Sequence, residues 1–573
     1  MEITRRREAE RDLRDPARLV LGTSGERALS ACLTYAPEGV GEAVQPTSGE
    51  HTYVLGDGQD ADPAYQAFLG NGVLLHANLK TGQVCLRTSL SGCPPVFVYR
   101  EGGRSIVASS VDRIAALCRG QLAFDPQGLV ELAAIGHPIE HRALFRHISV
   151  VPAGVGLAID ATGGVRTVSH WQPPVDPPFR HLQEYISAQS DALTTALARM
   201  DLSRSFLSLT AGLDTRTILA LLVRDRRTLP ALTMTSIVES IDARCAAELC
   251  RGYGMTHNMI RLNKTFIQQF PECALEASRR SGGLSSFGQA SEIFFYRVAS
   301  NAFTARLSGN LGNQVGRSGT EGVRMRGVPL EVLARDVIAA AKPLQGRHWL
   351  AEMAGKNRGL GSLKLIQLER LFASMGNSCI GESYVTQQTP YADRTVISQK
   401  LREPVLRRYE IAPMMALRLR DLKHRFLGDS IRTSFQRQII ASVGGIVART
   451  PVNWGWQPCG GVSLAGTALG TLGLIDMVIN TRLAGRGVAS RIMSRIGIDG
   501  LSGFEYVDLL RERPAAEFVN DTLRASAAQQ SPMLNALVLR RALAKGLSDR
   551  SARATLLFAL DIVLARQNFG ITQ

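Results

Sequence analysis

Along residues 183–310, short apolar runs alternate with amphipathic helical stretches, and this leaves the chain few folds to choose from. "EYISAQSDALTTALARM" has helical periodicity, "SFLSLT" reads as a buried strand and "LDTRTILALLVRD" as a helix. The pattern repeats as strand "PALTMTSI", helix "IDARCAAELCRGYG", strand "HNMIRL", helix "SEIFFYRVASNAF" and strand "ARLSGN". Strands recurring at this spacing imply right-handed βαβ units and an open parallel sheet. Ligands of such sheets bind beyond the carboxyl ends of the strands, where the Gly-containing turns after Leu209 and Leu307 both fall.

The first third reads differently. "HTYVLGDG", "GVLLHANLKTGQVCLRT" and "PVFVYREGGRSIVASS" are β-rich segments, with "KTGQ" and "REGGR" as hairpin-like turns. "FDPQGLVELAAIG" opens as a capped helix, with Asp125 as N-cap and Pro126 in the first position. A β pair, "HISVVPAGVGLAID" and "GGVRTVSHW", follows. "QPPVDPPFRH" (172–181) carries four prolines in ten residues and reads as a linker. A chain of 573 residues is too long for one core, so the expected division is 1–171, β-rich; 172–182, linker; and 183–573, α/β with a helical C-terminal part from about 330.

Several partner classes are not favoured. No window approaches 18 uncharged apolar residues, so neither a transmembrane helix nor a membrane partner is expected. The start, "MEITRRREAERDLRD", has no apolar core and argues against a secretory signal. Nine cysteines lie scattered without a C-x-x-C pair, which suits reduced thiols in a cytoplasm better than disulfides or a zinc site. The net charge of +16 is partly local: residues 401–449 hold ten Lys/Arg against four Asp/Glu. A basic patch suits a polyanion or an acidic substrate, or is simply a solvated face. Without aromatic interleaving, nucleic acid is not the expected partner.

The turn "LSLTAGLDTRTILALL" (207–222) carries the candidate chemistry. A phosphate site needs small residues that let backbone N–H groups approach the anion, with hydroxyls and a carboxylate for Mg²⁺ nearby. Thr210, Gly212, Asp214 and Thr215 supply that inventory just before a helix. The same residues suit a plain strand–turn–helix unit with Asp214 placed favourably in the first turn. The turn matches neither the Walker nor the Rossmann pattern.

The stretch resembles the pyrophosphatase loop of the asparagine synthetase family, written S-G-G-L-D-S. Thr210 and Ala211 stand for the first serine and glycine and Thr215 for the last serine, while Gly212, Leu213 and Asp214 match. "TMTSIVESIDARCAAELCRGYGMTHNMIRL" is similar to that family's second segment, with Asp242, Tyr253-Gly254 and His257 in order. "ARLSGNLGNQVGR" sits where the family has its second Gly-rich strand end, and "TPYADRTVISQK" resembles its "PFLD" segment. Segments within 71–160 are similar to the family's amidotransferase domain, so the resemblance covers about 50–560. It implies an α/β protein: an N-terminal Ntn-type sandwich, then a parallel-sheet synthetase domain of the adenine nucleotide α-hydrolase type. It also implies ATP and Mg²⁺, adenylation of a carboxylate and attack by an amine. Thr210, Ala211, Gly212 and Thr215 would hold the phosphates, Ser208, Met234, Ser308 and Gly309 the adenine and ribose, and Asp214 the metal.

The departures sharpen the expectation. The family's glutamine-hydrolysing members expose a cysteine after Met1, whereas here Glu2 follows and the first cysteine is Cys32. A glutaminase is therefore not expected, and the resemblance points to branches whose amine comes from the substrate: β-lactam synthetases and lasso-peptide cyclases. Asn313 and Gln314 replace the family's second pair of acids, which leaves Asp214 with Asn313 as metal ligands. Asn310 lies near the position of a tyrosine used by the β-lactam synthetase branch, and Glu382 is the nearest carboxylate for its paired base. The family's late lysine is absent from "ARTPVNWGWQP", leaving Arg449 or Lys423 to supply positive charge. His257 and Glu292 read as structural or solvated, and Trp454 and Trp456 as packing or groove residues. The resulting expectation is a cytoplasmic lasso-peptide macrocyclase acting on an Asp/Glu-bearing peptide, with a leader-binding protein and leader peptidase as partners. Its rivals are an amidotransferase acting on a small molecule or glycan, and a non-catalytic nucleotide- or peptide-binding scaffold.

Overall fold

The computed structural model describes residues 72–159, 164–169, 176–235, 240–312, 328–341, 375–403, 434–452 and 512–571, with short gaps, and strand segments between residues 2 and 56. Two sheets face each other in the N-terminal part. The larger is an antiparallel meander, ordered Val165–Ser169, Val155–Ile159, Gln83–Thr88, Gly72–Asn78, Glu50–Gly56 and Val40–Glu42. The smaller is ordered Ile148–Val150, Phe97–Glu101, Arg104–Ala108 and Ser30–Cys32. Strand alternation decides what each face buries. Val98 and Val107 point into the core between the sheets, while Phe97, Tyr99 and Ile106 point outward under helices Val111–Leu117 and Pro126–Ile135. The Asp125 carboxylate caps the second helix by accepting from Gln127 N at 3.1 Å. Phe97–Glu101 and Arg104–Ala108 pair as the expected hairpin, with Gly102 at φ +56° in its turn.

The second part is a three-layer α/β/α unit. In chain order its elements are α1 (Leu182–Arg199), β1 (Ser205–Ser208), α2 (Leu213–Arg224), β2 (Ala231–Thr235), α3 (Ile241–Gly252), β3 (His257–Arg261), α4 (Lys264–Arg280), α5 (Ala290–Ala299), β4 (Ala305–Leu307), α6 (Met375–Glu382), β5 (Thr386–Gln388), α7 (Arg394–Leu401), α8 (Ser434–Val443), α9 (Gly445–Arg449), α10 (Arg513–Ala528), α11 (Ala536–Lys545) and α12 (Arg550–Phe569). The five strands are all parallel, in the order β3-β2-β1-β4-β5. The order reverses at β1, so the crevice between the carboxyl ends of β1 and β4 is the topological switch point.

The central strands β1 and β2 feed both faces of the sheet, β3 and β4 one face each. Phe206, Leu232 and Ile260 enter a core with α4, α5 and α10–α12; Leu207, Ala231 and Leu307 enter another with α1–α3, α8 and α9. Full burial of side chains such as Phe206 contributes about 1.5–3 kcal/mol each. The first of these cores also takes in the helices of the N-terminal part, and Phe145 meets Phe569 edge-on at 5.0 Å. Residues 176–180 form no helix or strand, and Arg402 holds them by donating to Pro177 O at 3.1 Å and lying 4.3 Å over the Phe179 ring. Among the described residues no helix is long and apolar enough to cross a membrane, and no disulfide joins Cys85, Cys93, Cys118, Cys245, Cys250, Cys273 or Cys379.

Candidate functional site

β1 delivers the turn 209–212 to the switch point, and neighbouring elements fix its backbone atom by atom. Leu209 is tied to β2 on both sides: its N–H donates to Leu232 O at 3.2 Å, and its carbonyl accepts from Thr233 Oγ1 at 2.8 Å. The Thr233 hydroxyl has one proton, so at 3.0 Å from His257 Nε2 it accepts, which makes His257 a structural partner of the turn. Thr210 Oγ1 accepts from Gly212 N at 3.2 Å and lies 3.1 Å from Thr215 Oγ1, which itself accepts from Thr210 N at 3.3 Å. Two threonines thus close a ring across the turn, and no side chain caps the start of α2 at Gly212.

Two charges hold the turn from below. Ala211 N donates to Asp242 Oδ1 at 2.8 Å, and Ala211 O accepts from Arg216 Nη2 at 3.1 Å. Burial pushes the Asp242 carboxyl up, against the opposing pull of the Ala211 N–H and of Arg216. Arg216 is fully buried and also donates to Thr450 O and, at 3.0 Å, to Pro451 O. Burial lowers its pKa to about 10, with Cys245, Glu248 and Asp242 resisting, so it is charged at neutral pH.

Asp214, in the first turn of α2, is enclosed on three sides. Its Oδ1 accepts from Gln436 Nε2 of α8 at 2.7 Å, and its carbonyl accepts from the buried Tyr391 hydroxyl at 3.0 Å. Burial, with the Asp214 charge second, holds the Tyr391 phenol far above its ordinary range, so it serves as a neutral donor. The third side is the loop after β4. A Cβ on Gly309 would lie 2.8 Å from Asp214 Cβ and from Thr215 N, and one on Gly312 would lie 2.6 Å from Asp214 Cβ and Cγ. Only glycine lets this loop come so close. Between them, buried Leu311 sits at φ +65°, a strained position for a branched residue of the kind found at ligand clamps.

The residues singled out by sequence fall into three groups. Ser208, Thr210, Ala211, Gly212, Asp214, Thr215, Ser308 and Gly309 come together at the crevice. Ser308 is buried and donates its N–H to Gln388 O at 2.9 Å, and Met234 is half-buried at the end of β2. Ser208 Oγ accepts at 2.9 Å from Arg306, whose guanidinium also binds Glu292 at 3.0 Å and lies over the Phe295 and Tyr296 rings. Glu292 therefore holds an arginine rather than standing solvated. Glu382, in contrast, is buried at the end of α6, where its carboxylate accepts a 3.5 Å bond from Gln387 N; it does not join the turn. The Arg449 side chain is exposed at the end of α9, next to Thr450. Asn313, Gln314, Lys423, Trp454 and Trp456 lie outside the described residues. Sequence reasoning passed over Arg216, Tyr391 and Gln436. Tyr391 lay inside a motif already singled out, whereas nothing local marks Gln436.

Whether a cation suits this place is tested by its donors. Among the described residues no group of three or more His, Cys, Asp or Glu is placed to hold a metal. Asp214 offers one carboxylate, and beside it the fully buried Gln436 has an amide oxygen, Oε1, with no hydrogen-bond partner. An oxygen-only set this small fits Mg²⁺, which binds through one or two carboxylates together with substrate phosphates and water.

Neither a scan of protein families nor a search of curated proteins finds a match to this chain. Among solved structures it is similar to NMN synthetase from Francisella tularensis, at 12% identity and a TM-score of 0.20, over 44% of this chain and 97% of that one. A likeness at that level says nothing about what this chain does.

Proposed function

We propose that the turn 209–212 with Asp214 binds the phosphates of ATP, and that the chain is an ATP-dependent amide-forming ligase. The carrying observation is the fit of the Gly309–Gly312 loop onto Asp214 at the switch point of a parallel sheet. That arrangement spends two glycines and a strained leucine to keep one carboxylate beside an uncapped helix start. Amides of that first turn and the Thr210 and Thr215 hydroxyls would receive phosphate oxygens. Mg²⁺, when bound, neutralises charge building on the departing pyrophosphate, and Asp214 is the residue that would hold it.

In this reading a substrate carboxylate oxygen attacks the α-phosphorus and pyrophosphate leaves. An amine then attacks the acyl carbon, AMP leaves with the bonding electron pair, and the ammonium proton passes to solvent. The order of motifs shared with asparagine synthetases supports this reaction class. Within that class the finer proposal is macrolactam closure of an Asp/Glu-bearing peptide in the cytoplasm, with the amine carried by the substrate itself. Ring closure is intramolecular, so holding the peptide folded supplies much of the rate.

ATP–pyrophosphate exchange tests this, using wild type and Asp214→Ala with candidate peptides, ammonia donors and small carboxylic acids. Carboxylate-dependent exchange that disappears in Asp214→Ala is the expected result. Tight ATP binding without exchange for any carboxylate would overturn the ligase and leave a nucleotide-binding scaffold.

A further inference from the structure

Gln436 is the least explained polar group near the turn. It sits at 0% exposure on α8, 222 residues along the chain from Asp214, yet its amide end lies 2.7 Å from Asp214 Oδ1. Nε2 has two acceptors, Asp214 Oδ1 and the Tyr391 hydroxyl at 3.3 Å, whereas Oε1 has none. A buried amide oxygen without a donor is destabilising. A leucine or methionine would fill the same volume without that cost, so the half-satisfied amide points to a ligand.

The geometry points to a divalent cation, and we infer that Gln436 is a ligand-responsive cation ligand donated by α8. In the structure its N–H donates to the Asp214 carboxylate. Rotating the amide by half a turn exchanges nitrogen and oxygen within the same volume and sets Oε1 where Nε2 now lies. Two oxygens 2.7 Å apart repel unless a cation joins them. Adjacent oxygens of an octahedral magnesium shell, with bonds of roughly 2.0–2.1 Å, lie about 2.9 Å apart. A carboxylate and an amide oxygen held this way are one edge of such a shell, and substrate phosphates and water supply the rest. The Tyr391 hydroxyl, which donates to the Asp214 carbonyl, is placed to accept from the amide in one orientation and not the other. It therefore favours the orientation in which the amide N–H meets Asp214.

This inference rests on the nucleotide reading of the turn, and the test separates the two. Mn²⁺ replaces Mg²⁺ as probe, its free concentration is read by electron paramagnetic resonance, and the nucleotide is α,β-methylene-ATP. Wild type, Gln436→Met, Gln436→Glu and Asp214→Asn are compared, with circular dichroism as the check on folding. Loss of the amide oxygen in Gln436→Met should weaken nucleotide-dependent Mn²⁺ binding ~10-fold, and the second carboxylate of Gln436→Glu should tighten it by a similar factor. Nucleotide affinity in EDTA should stay within about twofold of wild type in Gln436→Met and fall in Gln436→Glu, whose added charge then meets the phosphates without a cation between. If both folded variants keep Mn²⁺ affinity within about twofold of wild type while Asp214→Asn loses it, Gln436 is packing and the inference fails. If Asp214→Asn also binds like wild type, the nucleotide reading of the turn fails with it.

Discussion

Gly312→Ala adds a single methyl group, and its consequence can be worked out from the site. The new Cβ would stand 2.6 Å from Asp214 Cβ and Cγ and 2.8 Å from Oδ1. Carbon atoms prefer about 3.5–4.0 Å, so roughly 1 Å has to be cleared. Gly312 is not in the left-handed region, so the backbone itself accepts alanine, and the loss of unfolded-chain freedom would by itself stabilise by about 0.4–1 kcal/mol. Overpacking costs about 1–3 kcal/mol and decides the sign. Asp214 cannot retreat, because Gly309 meets it on one side and Gln436 on another. The carboxylate must swing out of the crevice. Losing its hold on the metal should weaken Mg·ATP binding by about 1.4–2.8 kcal/mol, which is 10- to 100-fold. Calorimetric titration with a non-hydrolysable ATP analogue reads this, and urea unfolding reads the stability. Gly309→Ala is the contrast, since its methyl would meet Thr215 N and Asp214 C of the helix backbone, so it should cost stability as well as binding. In an Asp214→Ala background, Gly312→Ala should cost almost no further binding, a non-additivity expected for neighbours. Wild-type affinity in Gly312→Ala, with an unchanged urea midpoint, would refute the reasoning.

Arg216→Met keeps the length of the side chain but strands the carbonyls of Ala211, Thr450 and Pro451, and should lower unfolding free energy by about 3 kcal/mol in urea titration. Asp242→Asn replaces a charged acceptor at Ala211 N with a neutral one, and should weaken ATP-analogue binding about 3- to 10-fold at pH 7 by calorimetry. Because burial raises the Asp242 carboxyl, its titration favours folding below the ordinary aspartate value and that contribution is lost as pH rises through the folded value. Stability measured from pH 3 to 7 should therefore fall less with rising pH in Asp242→Asn than in wild type. Cys250 and Cys273 are pushed up to about 11 by burial, so at pH 8 about one thiol in a thousand is ionised. Iodoacetamide should modify both more than 100-fold more slowly than in urea, by mass spectrometry.

The parts of the fold that announced themselves are those with apolar runs or stripes. β1–β4 are short runs with apolar residues, α2 is apolar nearly all round and α3 carries a buried stripe, so their existence and sequence order were legible. β5 was not, because "TQQ" looks like a loop. Its glutamines are buried and bonded instead, Gln388 to Ser205, Asp201 and the Ser308 amide, and Gln387 to Tyr296 and Val385. α4 was concealed by Pro271, which it tolerates because Phe266, Phe270 and Cys273 pack into the core. Within the site, the turn was legible because Thr210, Gly212 and Thr215 bond to one another within five residues. Glu382, placed only by its nearness to the register, lies buried against Gln387 N at the end of α6. Gln436 and Arg216 needed the fold itself, since each has a partner more than two hundred residues away, Asp214 for the first and the Thr450 and Pro451 carbonyls for the second.

The contact between Phe145 and Phe569 sets a schedule for synthesis. More than four hundred residues separate the two rings, and a ribosome adding 5–20 residues per second needs roughly 20–80 s to cover that distance. During that interval Phe97, Leu129 and Phe145 have left the ribosome while the α12 residues that share their core have not been made. The nascent chain therefore carries an uncovered apolar face for most of its translation, a natural hold for chaperones. The turn 209–212 emerges in the same interval, and Asp214 beside it meets Gln436 only when α8 follows.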